Sequence, residues 1–306
     1  MINCNLLNHS YKDGNVKSLC NISFSVDEGE LFGIIGPDGA GKTTLFRILT
    51  TLLLPESGTI TIAGYDVVKD YKAIRYIAGY MPGRFSLYHD LSVEENLNVF
   101  ASVFNTSITE NYELIKDIYC HIEPFKTRKA GNLSGGMKQK LALCCALIHK
   151  PRILFLDEPT TGVDPVSRKE FWEMLKKLKE QNITIIVSTP YMDEANLCDR
   201  IAFIMNGSFL KIDTPENIIS DFNETLWATK SSKMSKLLTD LRENKQIKSC
   251  FAFGNTIHFT SSPSSVERDV KWLHKYLESK GHQEIEIKEI KPVIEDCFIS
   301  MTEKQL

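Results

Sequence analysis

One stretch limits the choice of fold more than any other. Gly36, Pro37, Asp38, Gly39, Ala40, Gly41, Lys42, Thr43 and Thr44 follow directly on an apolar run, residues 31–35, and lead into a helical pattern reaching to about residue 53. Gly-x-x-x-x-Gly-Lys-Thr between a strand and a helix is the Walker A pattern of a phosphate-binding loop. The chemistry explains the spacing. Triphosphate is dense negative charge, and glycines let backbone N–H groups curl around it without side-chain clash. The helix that follows points its first N–H groups at the same oxygens. Lys42 then neutralises β- and γ-oxygens, and the Thr43 hydroxyl is placed to ligate Mg²⁺.

The residues around this loop alternate short apolar strands with amphipathic stretches, which predicts an α/β domain with a largely parallel central sheet over residues 1–220. Helices are expected at 92–105, 135–149 and 167–181, the first with Ser92 and Glu95 at capping-box spacing. Strands are expected at 152–156 and 183–188. Runs 201–205 and 208–212 flank Asn206 and Gly207, a hairpin signal. From residue 221 to 306 the order changes to strand 226–229, helix 233–242, strands 249–253 and 256–260, helix 266–280 and strand 284–290. That βαββαβ order predicts a small α+β, ferredoxin-like second domain.

Composition narrows the class. The 306 residues are 42% hydrophobic and 25% charged, with a formal net charge of -3, so no basic field favours nucleic acid. No apolar run approaches the roughly 18 residues of a spanning helix, and residues 1–15 lack the apolar stretch of a signal peptide. A cytoplasmic chain is expected. Its eight cysteines contain no CxxC pair, and adjacent Cys144 and Cys145 read as small buried residues. His258, His274 and His282 have no metal-like spacing.

Two further motifs complete the chemistry. Residues 153–156 are apolar and end on Asp157 and Glu158. Asp157 is placed to hold Mg²⁺, and Glu158 to act on the attacking water as general base. Leu133, Ser134, Gly135 and Gly136 open a second helix, hence a second anion-binding N-terminus. One chain already has such a site at Lys42. The second makes sense facing the γ-phosphate of ATP bound to a partner subunit.

Taken together, these stretches resemble the ABC ATPase superfamily over roughly residues 3–219. The loop 36–44 and the signature 133–140 resemble those of ABC-2-type exporter subunits, notably the multidrug-efflux and YbhF-like group. Pro292, Glu295, Asp296 and Phe298 are similar to a segment that closes many such chains. The resemblance implies a P-loop ABC ATPase domain with a helical signature subdomain, ATP and Mg²⁺ as ligands, and hydrolysis coupled to transport. It implies a second ATP-binding subunit and a separate transmembrane permease, with the chain held at the inner face of the membrane. Residues 161–165 match the family's D-loop along the dimer seam, and Tyr11 matches the aromatic residue that stacks on adenine. The permease contact is expected around residues 82–88, with Phe85, Leu87 and Tyr88 exposed.

Two positions depart from the family pattern. Gly83 stands where the Q-loop glutamine is expected, and Pro190 where the switch histidine is expected. Proline offers no side-chain donor and no N–H, and losing a polar contact to transition-state charge slows a reaction about 100-fold or more. One reading is therefore a self-sufficient ATPase. The other is an ATP-holding half of a heterodimer. DNA-repair and translation ATPases are disfavoured, because the chain has no long heptad run and one Walker A loop. A nucleoside kinase would need neither signature nor D-loop.

Overall fold

The run Leu31–Ile35 contains no polar side chain, as suits a strand covered on both faces, and all five residues are buried. The computed structural model describes residues 1–11, 16–261 and 271–303. The chain divides into two compact units, Met1–Pro215 and Glu216–Leu306.

In the first unit β1 (Ile2–Tyr11), β2 (Val16–Val26) and β3 (Leu31–Ile35) precede α1 (Lys42–Leu49). Then come β4 (Ser57–Ile62), β5 (Tyr65–Asp66), α2 (Tyr71–Ile77) and β6 (Ala78–Met81). Helices α3 (Val93–Val103), α4 (Tyr112–Tyr119) and α5 (Gly135–Leu147) follow. The unit closes with β7 (Ile153–Asp157), α6 (Pro165–Glu180), β8 (Thr184–Thr189), β9 (Arg200–Met205) and β10 (Ser208–Asp213).

Six strands form one sheet in the order β10-β9-β3-β8-β7-β6, parallel except for the β9–β10 hairpin. Strand β8 lies between β3 and β7. The loop after β3 and the carboxylates ending β7 therefore open on the same edge, where ligands bind in open α/β sheets. A second, antiparallel sheet, β2-β1-β4-β5, lies beside it. Its Ile2, Leu7, Ile22 and Ile60 share a core with Phe32, Phe46 and Phe155, so α1 is packed between the two sheets. Polar residues alternate along β1 and β2 because one face is wet.

Helices α3 and α4 pack on α5 to form the helical part. Ser92 caps α3 with the reciprocal bonds expected, Ser92 Oγ accepting from the Glu95 N–H and Glu95 from the Ser92 N–H. Buried Asn96 fixes the loop before it, donating to the carbonyls of Tyr88, Leu91 and Ser92. That packing corrects one expectation. Leu87 is buried, and Phe85 is half-buried against the His89 ring and beneath the Lys138 amine. Of the three only Tyr88 is exposed, at 57%.

The second unit contains α7 (Pro215–Ser220, starting at the boundary), β11 (Leu226–Lys230), α8 (Met234–Glu243), β12 (Ile247–Phe253), β13 (Thr256–Ser261), α9 (Lys271–Ser279), β14 (Glu286–Ile290) and α10 (Ile294–Glu303). Its sheet order is β12-β13-β11-β14, every neighbouring pair antiparallel. Leu237 and Leu241 of α8 and Leu273 and Leu277 of α9 pack on Ile257 and Phe259. Residues 266–270, expected in the second helix, lie outside the described residues. Two histidines are buried with carboxylates. His258 Nδ1 lies 2.7 Å from Asp296, and His282 bridges Ser231 at 3.1 Å and Asp240 at 2.8 Å. No disulfide joins any of the eight cysteines. Burial pushes the thiols of Cys144, Cys145 and Cys198 far up, which leaves them chemically inert.

Candidate nucleotide site

The loop after β3 is shaped by backbone crowding. A Cβ on Gly36 would stand 2.2 Å from the Ile204 carbonyl, and one on Gly41 2.5 Å from the Ser18 carbonyl. Gly41 also has φ 108°, a region L-residues avoid, and it is the N-cap of α1. With no side chain at the cap, the first N–H groups of α1 face outward for an anion. Lys42 is 3% exposed. Its amine donates to the carbonyls of Gly36 at 2.7 Å and Pro37 at 2.9 Å, and lies 3.1 Å from Glu158 Oε1.

Asp157 and Glu158 reach the same place from β7. Asp157 is buried and accepts from Ser188 Oγ at 2.7 Å, with Thr43 as a second hydroxyl donor. Burial raises its pKa above the ordinary carboxylate value. The hydroxyls of Ser188 and Thr43 oppose that, Glu158 adds to it, and Lys42 opposes it. Glu158 has φ 51°, unusual for a residue with a side chain. Its N–H donates to the carbonyl and the hydroxyl of Ser188 at 3.1 and 3.0 Å.

Two cavities meet at these residues. One, of about 270 Å³, is lined by Tyr11, Ser18, Gly39, Gly41, Lys42, Thr43, Thr44 and Glu158. Tyr11 sits beside Thr44, its hydroxyl 3.3 Å from Thr44 Oγ1 and its ring edge-on to His9. The other, of about 560 Å³, is lined by Thr43, Arg47, Tyr80, Gly83, Arg84, Asp157 and Glu158. Gly83 lies against Asp157, since a Cβ there would be 3.0 Å from the Asp157 carbonyl and 3.8 Å from Oδ2. A hydroxyl and a carboxylate, with oxygen donors alone, suit Mg²⁺ at Thr43 and Asp157.

The signature residues are elsewhere. Leu133, Ser134, Gly135 and Gly136 line neither cavity. Ser134 is the N-cap of α5, its hydroxyl accepting from the Met137 N–H. Gly136 faces Ser167, and Gly135 lies near the Gly162 carbonyl. Asp164 caps α6 through the N–H groups of Val166 and Ser167, which hold its carboxyl below the ordinary range. Pro190 follows β8, half-buried. Sequence reasoning missed Ser188, Arg47 and Tyr80. A serine at the end of an apolar strand was the one legible cue.

Comparison with known proteins bears on this geometry. The ABC transporter family model matches residues 19–161. Probable multidrug ABC transporter ATP-binding protein YbhF of Escherichia coli (strain K12) is 34% identical over 98% of this chain and 52% of its own length. Nod factor export ATP-binding protein I of Rhizobium sp. (strain N33) is 31% identical over 93% of this chain and 92% of its own. This chain belongs to the ABC transporter family of ATP-binding proteins. As an ABC protein it spans about half the length of the YbhF relatives, 52%. Solved ABC structures agree in fold. A structure of an ATP-binding subunit of an ABC transporter matches at TM-score 0.66 and 28% identity, over 72% of this chain and 93% of that one. The dimeric post-hydrolysis ATP-binding cassette MJ0796, bound to ADP and Pi, matches at TM-score 0.64 and 26% identity, over 70% of this chain and 98% of that one. Among the described residues, no helix is long and apolar enough to cross a membrane.

Proposed function

We propose that this chain binds and hydrolyses ATP as the motor subunit of an ABC-2-type exporter. The observation that carries the reading is the convergence of Lys42, Thr43, Asp157 and Glu158 on one edge of the sheet. Lys42 and the N-terminal N–H groups of α1 neutralise the phosphates. Tyr11 stacks on adenine. Thr43 and Asp157 hold Mg²⁺, which screens phosphate charge when bound. Glu158 orients the attacking water and accepts its proton. The products are ADP and phosphate.

Ser134, Gly135 and Gly136 take no part in that site, so they face ATP held by a second ATP-binding subunit. A separate transmembrane permease is the other partner, which keeps the chain on the inner face of the membrane, with no nucleic-acid role. Export is supported by the multidrug and Nod factor relatives. We assign the permease contact to the 82–88 loop and to the neighbouring groove of about 300 Å³ lined by Leu52, Tyr80, Phe100, Phe104 and His149. Residues 221–306 form the accessory domain, and their antiparallel order β12-β13-β11-β14 supports a ferredoxin-like reading.

Gly83 and Pro190 favour a second reading, an ATP-holding half of a heterodimer. The cavity lined by Gly83, Asp157 and Glu158 is where the amide of a glutamine would reach. Steady-state ATP turnover across protein concentrations, with Lys42→Ala as blank, decides between the two. Turnover rising faster than linearly is expected of a self-sufficient homodimer. ATP binding with turnover at the blank's level would overturn that in favour of the second reading.

A further inference from the structure

Glu158 occupies a left-handed backbone conformation, which persists only where the surroundings over-determine it. Part of the support is local. Ser188 accepts the Glu158 N–H through both its carbonyl and its hydroxyl, and the Thr161 N–H donates back to the Glu158 carbonyl at 3.2 Å. The rest comes from Glu194, six residues beyond Ser188 in a 3-10 segment, Met192–Leu197.

Glu194 is 2% exposed. One carboxylate oxygen accepts from Thr160 Oγ1 at 2.8 Å and from Arg168 Nε at 3.1 Å, and the other accepts from Thr189 Oγ1. The Tyr191 N–H donates to Thr189 Oγ1 at 3.0 Å, which aims that hydroxyl's proton at Glu194. Arg168 supplies the countercharge, and its guanidinium lies 4.1 Å over the Tyr191 ring. The carboxylate thus joins three segments: the turn after β7, the end of β8 and the first turns of α6. Thr160 is two residues past Glu158, and Thr189 is next to Ser188. Glu194 therefore staples the two segments whose direct contact holds Glu158.

We propose that Glu194 is a positioning residue for Glu158, locking the 158–160 turn against β8 in the region where this chain carries Pro190 and no imidazole. The inference rests on the reading of Glu158 as the residue that acts on water. Its carboxylate form matters, because an amide in its place would turn one acceptor oxygen into a donor facing hydroxyls already committed as donors.

The test uses the full chain, with kcat and the KM for ATP measured separately. Glu194→Gln is expected to lower kcat about 10- to 100-fold, the effect of a small misplacement at a reacting group, with KM within about twofold. Thr160→Val should lower kcat in the same way and Thr160→Ser should restore it, which keeps the test alive if Glu194→Gln folds poorly. Glu194→Gln added to Glu158→Gln should cause no further loss, since coupled residues are non-additive. If Glu158→Gln abolishes turnover while Glu194→Gln and Thr160→Val keep it, the positioning role is wrong and the ATPase reading stands. KM rising as much as kcat falls would also overturn it, by showing mere support of the binding loop. If Glu158→Gln keeps full turnover, or the unaltered chain has none, the reading of Glu158 fails and takes this inference with it.

Discussion

Two helix N-termini in this protein use the same physics and differ in what completes them. At α1 the cap is Gly41, and the chain itself brings Lys42, Asp157 and Glu158 to the amides. At α5 the cap is Ser134, whose hydroxyl takes the Met137 N–H. Neither cavity at the carboxylates includes it. The glycines differ in the same sense. Gly36 and Gly41 are demanded by backbone atoms of their own chain, whereas a Cβ on Gly135 would meet only the Gly162 carbonyl at 3.8 Å, an ordinary contact. Glycine at 36 is explained by folding. Glycine at 135 meets no such demand from its own chain, and the proposed contact with ATP on a second subunit would supply one.

The largest effect should fall on the completed site. Lys42→Ala is expected to lower turnover about 100-fold or more by removing a charge at the phosphates. Ser134→Ala should lower turnover comparably, yet cost only about 1 kcal/mol of folding stability as a lost cap. Chemical denaturation beside the turnover assay separates the two. Equal turnover in Ser134→Ala and the unaltered protein would break the comparison.

Alanine at the glycines sharpens it. Gly36→Ala must displace the Ile204 backbone and should destabilise by about 1–3 kcal/mol. Gly135→Ala should fold within about 0.5 kcal/mol of the unaltered protein, while losing ATP-dependent association in light scattering. A folding defect at 135 as large as that at 36 would show that the chain itself requires the glycine.

An effect seen only in acid lies at the other end of α5. A helix C-terminus favours a cation, but burial lowers the His149 pKa from 6.5 to about 4. The ring stacks on Phe104 at 3.8 Å, and its Nε2 lies 3.1 Å from the Ala78 carbonyl. A depressed folded-state pKa gives stability that is full above pH 6.5 and lost as pH falls through 4. The loss is at most about 3 kcal/mol. His149→Phe keeps the stack, so its denaturation midpoint should change less between pH 7 and 4.

The phosphate loop, the carboxylate strand and the capped helices α3 and α5 were legible because each is a local pattern: glycines at fixed offsets, an apolar run, a capping box. The sheet β2-β1-β4-β5 was not, because its strands alternate with solvent and β1 finds β4 across about 50 to 60 residues. Leu87 was misjudged for a similar reason. A leucine in a loop carries no periodicity, and its burial depends on the neighbours that Asn96 gathers.

By itself the sequence singled out the groups proposed for the nucleotide site, since Lys42, Thr43, Asp157 and Glu158 belong to motifs whose chemistry admits few substitutes. Only the tertiary structure decided which groups hold them. Ser188, Thr160 and Glu194 are separated from Glu158 by as many as 36 positions, and no spacing rule marks them. They meet because β8 inserts between β3 and β7, and strand order is set by packing of whole faces, which no short stretch of residues encodes.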